Sequence, residues 1–320
     1  MDLDKVKNFL NKYDRFLITA HKRPEGDSIG SQVAMALLLK KLKKEVVVVN
    51  EDPIPPNLDF IKFCEIKEVA QARGAKFDAA IVLDSGNLSR IGKVVNLLKS
   101  SPTINIDHHI SNDNFGEVNW VNAKVSSVSE MIFYLYREVG VELDEKSALC
   151  IYVGILTDTG CFRFSNTTPQ ALDVCSQLLK FDIQPERVSN LLYSRRSFGS
   201  IRLLGEALVN LKKDKTGQIA WISITQQMLR KFKTRKSDTD DFIEFVRMIE
   251  PVKVAIVFHY INERKTKVSF RSKGEVDVNS IASFFKGGGH KLASGAEINY
   301  SLEEAEDVVL KKVRERIAGQ

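Results

Sequence analysis

A chain of 320 residues, 43% hydrophobic and 28% charged, is long enough for two globular domains with a substantial core in each. No apolar run approaches the ~20 residues of a membrane span, the start from Met1 to Tyr13 is charged and amphipathic, and four scattered cysteines (Cys64, Cys150, Cys161, Cys175) lack C-x-x-C spacing; these features suggest neither a zinc ribbon nor a disulfide framework and lead to the expectation of a cytoplasmic, non-membrane protein. The net charge of +6, from 47 basic and 41 acidic residues, suits phosphate-bearing substrates but is too modest to demand a long nucleic-acid track.

In chain order, Phe16 to Ala20 is a short apolar run that reads as a buried strand, broken by the polar loop His21-Lys22-Arg23-Pro24-Glu25-Gly26-Asp27-Ser28. A helical pattern follows from Ile29 to Leu38, then four valines (Val46–Val49) that mark a strand covered on both faces. Asp78 to Leu83 is another such strand, ending at Asp84, and Ile91 to Leu98 reads as a helix. Thr103 to Ile106 leads into Asp107-His108-His109, two of only five histidines side by side. Apolar strands alternating with helices predict a parallel α/β sheet.

Ser127-x-x-Glu130 has the form of a capping box before the helix Met131–Val139, and the helix from Glu145 to about Leu156 runs into Thr157-Asp158-Thr159-Gly160. Thr168-Pro169 supplies an N-cap and an N1 proline for the next helix. Composition changes near Tyr193–Ser197, which divides the chain into 1–192, a linker with connecting helix at 193–212, and 213–320. The last part carries strands at Gln218–Ile224, Val252–Tyr260 and Lys265–Ser272, and a closing helix behind the capping box Ser301-x-x-Glu304. It reads as a smaller α+β domain.

In open parallel sheets ligands collect at the carboxyl ends of strands, where His21, Asp84 and Asp107 all fall. Glu25 and Asp27 share the first of these loops, and Asp158 follows a buried helix. A lone strand-end aspartate is more often a turn or cap residue. Acids and imidazoles from four segments exceed what one open zinc site needs and suit two metal ions, Mn²⁺ or Mg²⁺, with Asp84 between them. Such a pair clamps a phosphoryl group and activates water. In the second domain, Gly287-Gly288-Gly289-His290 could cradle an anion with its exposed N–H groups, and Arg271 could reach a phosphate. His259, on an apolar strand, reads as structural.

Taken together, these motifs resemble the DHH/DHHA1 phosphoesterase superfamily. More narrowly they resemble its bifunctional oligoribonuclease and PAP phosphatase (nanoRNase) branch and the cyclic-di-AMP/pApA phosphodiesterase relatives. The first family motif, His-x-x-Pro-Asp-x-Asp-x-x-Gly-Ser, is similar to His21–Ser31 at every fixed position except Glu25. Asp84, Asp107-His108-His109, Asp158 and Gly287–His290 supply the rest in order. The resemblance implies a DHH catalytic domain followed by a DHHA1 substrate-binding domain. It also implies one metal on His21, Glu25 and Asp84 and another on Asp27, Asp84, His108 and Asp158. By the same resemblance Asp107 orients a ligand histidine, His109 faces the phosphate, and Arg271, Gly288, Gly289 and His290 grip the far nucleotide phosphate. The activity implied is Mn²⁺-dependent cleavage of short RNA or pApA, with cyclic di-AMP and pAp as further substrates, no membrane partner, and a homodimer compatible with the family. Pyrophosphatase-like or RecJ-like chemistry and, because of Glu25, a nucleotide-binding regulator are the alternatives.

Overall fold

The computed structural model describes residues 2–98, 101–239, 241–274 and 276–319, with the side chains of Asp2 and His290 outside the description. The chain forms two compact units, Met1–Arg195 and Arg196–Gln320.

The first unit runs α1 (Asp2–Lys12), β1 (Arg15–Thr19), α2 (Gly26–Lys41), β2 (Glu45–Asn50), β3 (Ile66–Glu68), β4 (Ala79–Leu83), α3 (Val95–Leu98), β5 (Thr103–Asp107), β6 (Val118–Val121), α4 (Val128–Glu138), α5 (Glu145–Asp158), α6 (Pro169–Leu178) and α7 (Pro185–Tyr193). Its six strands are all parallel, in the order β3-β2-β1-β4-β5-β6. Phe16, Leu17 and Ile18 of the central β1 are all buried, which is why this run lacks polar alternation. Phe16 and Ile18 pack with α1, α2, α4 and α5 on one face, and Leu17 joins Val49, Val82, Ile91 and Leu98 on the other. Burial of each such side chain contributes about 1.5–3 kcal/mol.

Glycine decides how α2 and α5 meet. A Cβ on Gly30 would strike the carbonyl of Cys150, and one on Gly154 would strike Ser129 Oγ and come within 2.9 Å of Asp27 Oδ1. Only hydrogen at these positions lets the start of α2, the start of α4 and the end of α5 converge.

The caps follow the expected residues. Ser127 Oγ accepts from Glu130 N (3.1 Å), Thr168 Oγ1 from Ala171 N (3.1 Å) and Ser301 Oγ from Glu304 N (3.3 Å). The reciprocal bond of the first box differs: the Glu130 carboxylate accepts from Ser126 N and Oγ (2.8 and 2.7 Å) instead of Ser127 N. The expected helix Ile91–Leu98 is a second departure. Leu88–Val94 is a 3₁₀ turn, and only Val95–Leu98 is α-helical, because Gly92 takes φ 62° and interrupts the ladder.

The second unit runs α8 (Phe198–Val209), β7 (Lys212–Lys213), β8 (Ile219–Ile224), α9 (Gln226–Phe232), α10 (Phe242–Arg247), β9 (Val254–Asn262), β10 (Lys265–Ser272), α11 (Val278–Phe284), β11 (Gly288–His290), β12 (Ala293–Ile298) and α12 (Leu302–Ala318). Its sheet order is β11-β12-β10-β9-β8-β7, antiparallel except for β8 against β9. Helices cover both faces: α11 and α12 meet Phe258, Val268 and Phe270, whereas α8 and α10 meet Ala220, Ile222 and Val257. Leu203, Leu204 and Ala207 of α8 thus belong to this unit's core. No helix among the described residues is long and apolar enough to cross a membrane.

Candidate metal centre

The strand order reverses at β1. From β1 the chain moves outward to β2 and β3, then returns to place β4 on the other side. The loops leaving β1 and β4 therefore diverge and open a crevice at the carboxyl edge of the sheet. His21 lies two residues past β1, Asp84 directly after β4, and Asp107 is the last residue of β5. The start of α2 contributes Glu25 and Asp27, and the end of α5 contributes Asp158.

Asp84 is the centre of this arrangement. Its φ of 51° is left-handed, a conformation that disfavours side chains by about 1–2 kcal/mol, and its N–H donates to the Ile106 carbonyl (3.1 Å). The buried carboxylate has one oxygen for each neighbour: Oδ2 is 3.2 Å from His21 Nε2, and Oδ1 is 3.7 Å from His108 Nε2. Burial alone would raise its pKa, but His21, His108 and His109 override that and hold it down to about 2.

His21 Nδ1 donates to the Lys22 carbonyl (2.8 Å), which leaves Nε2 facing the carboxylates. That nitrogen is buried and has no hydrogen-bond partner, although Asp84 Oδ2 is at 3.2 Å and Glu25 Oε1 at 3.8 Å. Burial pulls the imidazole down, and Asp84 more than reverses this, pushing it up to about 9. An orphaned buried nitrogen between two carboxylates is the arrangement a cation satisfies, displacing the proton.

A second group faces the other oxygen of Asp84. His108 Nε2 lies 3.5 Å from Asp158 Oδ2, and Asp27 completes the set. The Asp27 oxygens accept from Val128 N (2.7 Å) and Ser129 N (2.8 Å), the first amides of α4, so the helix terminus fixes the carboxylate. Burial and then Asp84 push Asp27 up to about 6; burial and then Asp27 push Asp158 up as well. Three buried or half-buried aspartates crowd one space without enough positive charge. In each of the groups His21–Glu25–Asp84 and Asp27–His108–Asp158 the donor atoms lie within 4.8 Å of one another. Oxygen-rich donors with one imidazole per group fit a hard divalent ion.

Asp84 and His108 also form a third group with His109, whose donor atoms lie within 4.8 Å of one another, but the His109 ring is held by Asp107. His109 Nδ1 donates to Asp107 Oδ1 (2.7 Å), and Asp107 Oδ2 accepts from Asn112 Nδ2 (2.6 Å). With its Nδ1 committed to Asp107, His109 is a poor third ligand even though it lies 3.7 Å from Asp84 Oδ1. Three residues here escaped the reading of the sequence. Asn112 anchors Asp107; Asn166 Nδ2 donates to Asp158 O (3.1 Å) and Oδ2 (3.3 Å); Arg90 NH1 lies 3.1 Å from His109 Nε2. No run or spacing marks them, because each acts across a loop.

In the second unit, residue 290 pairs with Ala293 on β12, and Ala293 pairs with Arg271 on β10, so one row of the sheet holds all three. Gly288 and Gly289 lie in the edge strand β11. A Cβ on Gly287 would strike the Gly295 carbonyl and one on Gly289 the Ala293 carbonyl, and Gly289 adopts φ 147°, whereas a Cβ on Gly288 would meet almost nothing. Arg271 Nε is 3.3 Å from Glu244 Oε1 of α10. The side chain of His290 lies outside the described residues. His259 is buried in β9, as its apolar neighbours suggested.

Comparison with known proteins yields consistent findings. Residues 15–155 match the DHH family, N-terminal domain, and residues 217–319 match the DHHA1 domain. A protein of Bacillus subtilis (strain 168), the bifunctional oligoribonuclease and PAP phosphatase NrnA, is 33% identical over 303 residues, 94% of this chain and 94% of its own. The protein of the same name from Thermus thermophilus is 32% identical over 94% of this chain and 89% of its own. The crystal structure of an exopolyphosphatase-related protein from Bacteroides fragilis is similar with a TM-score of 0.93 and 29% identity, covering 98% of this chain and 96% of that one.

Proposed function

Because the chain belongs to the DHH/DHHA1 family of phosphoesterases, we propose that it is a divalent-metal-dependent phosphodiesterase that releases nucleoside 5′-monophosphates from short oligoribonucleotides or pApA. Cyclic di-AMP and the 3′-phosphate of pAp are further substrates under this reading, and Mn²⁺ is the preferred ion, with Mg²⁺ able to replace it. The observation that carries it is the division of Asp84 between two donor groups, one oxygen toward His21 and the other toward His108. A pair of ions in those groups would supply Lewis acidity at the phosphoryl oxygens and a nucleophile at neutral pH.

The side chains provide the rest. His21, Glu25 and Asp84 would hold one ion, and Asp27, His108 and Asp158 would hold the other, with Asp84 near both groups. Asp107 acts as a positioning residue, fixing the His109 ring through Nδ1 while Nε2 meets Arg90 NH1, and the ring edge beside that pair faces the phosphate or leaving oxygen. In the second unit, Arg271 and the row formed with residues 288–290 take the far phosphate. Arg271 would then exchange its Glu244 partner for the ligand.

The test is one substrate panel. The full chain with Mn²⁺ is given pApA, cyclic di-AMP, pAp, di- to penta-ribonucleotides and pyrophosphate, and products are read by chromatography. Release of AMP from pApA or of mononucleotides from short RNA is the expected result. Phosphate from pyrophosphate alone, or tight nucleotide binding without any product, overturns the reading.

A further inference from the structure

Among the described residues, Arg90 is a cation in the metal-centre crevice with no carboxylate within ion-pairing distance; its one side-chain hydrogen-bond partner there is the His109 imidazole. We infer that Arg90 is a substrate-contacting residue whose guanidinium donates to a non-bridging oxygen of the phosphoryl group under attack. This rests on the phosphodiesterase reading and extends it to a residue that neither the sequence motifs nor the donor groups include.

The backbone around Arg90 is fixed on both sides. Ser85 Oγ donates to the Asn87 carbonyl (3.0 Å), Ser89 Oγ to Asn87 Oδ1 (2.6 Å), and Arg90 N to the Asn87 carbonyl (3.2 Å). The Arg90 carbonyl accepts from Lys22 N (2.8 Å), and the Lys22 carbonyl in turn accepts from His21 Nδ1. The side chain thus leaves a pinned 3₁₀ turn that joins the loop after β4 to the loop after β1. Its NH1 reaches His109 Nε2, and the far nitrogen of that ring is 3.7 Å from Asp84 Oδ1. The guanidinium is one imidazole away from the carboxylate shared by both donor groups.

Holding His109 does not account for this arginine. The ring is already oriented by the 2.7 Å bond to Asp107, which Asn112 anchors. A guanidinium carries five N–H donors in a planar fork, and a neutral ring nitrogen uses one of them and compensates none of the charge. The ligand that completes such a group is a tetrahedral oxyanion, bound by two parallel N–H donors. A fixed donor of this kind accelerates reaction when it meets charge that grows in the transition state.

The experiment compares the full-length chain with Arg90→Ala and Arg90→Lys. The backbone bond to Lys22 survives both changes, so they report on the side chain alone. Three quantities are measured: Mn²⁺ stoichiometry by titration, the Kd of inorganic phosphate for the Mn²⁺-loaded protein, and kcat and KM on pApA. In Arg90→Ala, the expectation is unchanged Mn²⁺ stoichiometry, phosphate binding weakened at least tenfold, and kcat/KM lowered about 10²–10³-fold. Arg90→Lys recovers only part of both, since an ammonium offers a point charge without the fork. Phosphate Kd and kcat/KM within twofold of the parent in Arg90→Ala overturn the inference. So does a loss that tracks lost Mn²⁺, which would make Arg90 a support for the ligands. If the parent turns over no substrate, the phosphodiesterase reading fails, while the phosphate Kd still decides for or against Arg90.

Discussion

Two buried histidines of this chain show how differently its two sheets treat charge. His21 is 5% exposed and His259 is 2% exposed. Yet carboxylates hold the first up at about 9, whereas burial, with Lys267 and Lys236 nearby, presses the second down to about 3. The difference lies in topology. In the parallel sheet every strand ends at the same edge, so His21, Asp84 and Asp107 share one crevice with the acids of α2 and α5. In the mixed sheet strand ends are divided between two edges, and His259 sits mid-strand between Ile224 and Lys267, with Thr239 Oγ1 3.3 Å from Nδ1. Burial alone makes a histidine neutral; burial beside carboxylates holds it charged.

The strongest way to break this contrast is to remove the shared carboxylate. Asp84→Asn keeps a residue that tolerates the left-handed backbone. It is expected to lower turnover by about 10³-fold and to bring Mn²⁺ stoichiometry below two, read by calorimetric titration. Full stoichiometry in this variant would remove Asp84 from the centre.

The second test addresses His259. Its folded pKa, near 3, lies below the unfolded value of about 6.5, so the unfolded chain binds the extra proton in between. The stability involved is present above about pH 6.5 and is lost as pH falls toward 3. At pH 5 the loss is about 2 kcal/mol relative to pH 7. Urea unfolding at both pH values should show that loss in the parent and not in His259→Gln; equal losses in both would show that the proton goes elsewhere.

The smallest effect concerns Glu25, whose side chain is 67% exposed and 3.8 Å from His21 Nε2. Glu25→Asp withdraws the carboxylate by one methylene and should weaken Mn²⁺ at that position by roughly tenfold, with stoichiometry kept. Identical affinity and turnover in the two chains would mean that Glu25 is not tuned to this site.

Much of the centre was legible because strand ends are local features. An apolar run stops where polar residues begin, so His21, Asp84 and Asp107 could be placed on one edge without coordinates. Caps were equally legible: Ser127, Thr168 and Ser301 each accept the amide three residues on. What escaped were contacts whose partners are far apart in sequence or whose backbone is irregular. Gly92 turned an apparent helix into a 3₁₀ turn, and with it the direction of Arg90 became a matter of tertiary structure. Nothing in the spacing of Gly288 and Gly289 announces that they pair with Gly295 and Ser294 in an edge strand.

The sequence by itself determined the two-domain order, the parallel sheet and the set of acids and imidazoles, since periodicity, run length and caps act over a few residues. Only the tertiary structure decided that β1 lies between β2 and β4, that α4 fixes Asp27 with two amides, and that Arg90 comes to rest on His109. Those outcomes depend on which strands and helices pack together, a choice made by the whole core and not by any one segment.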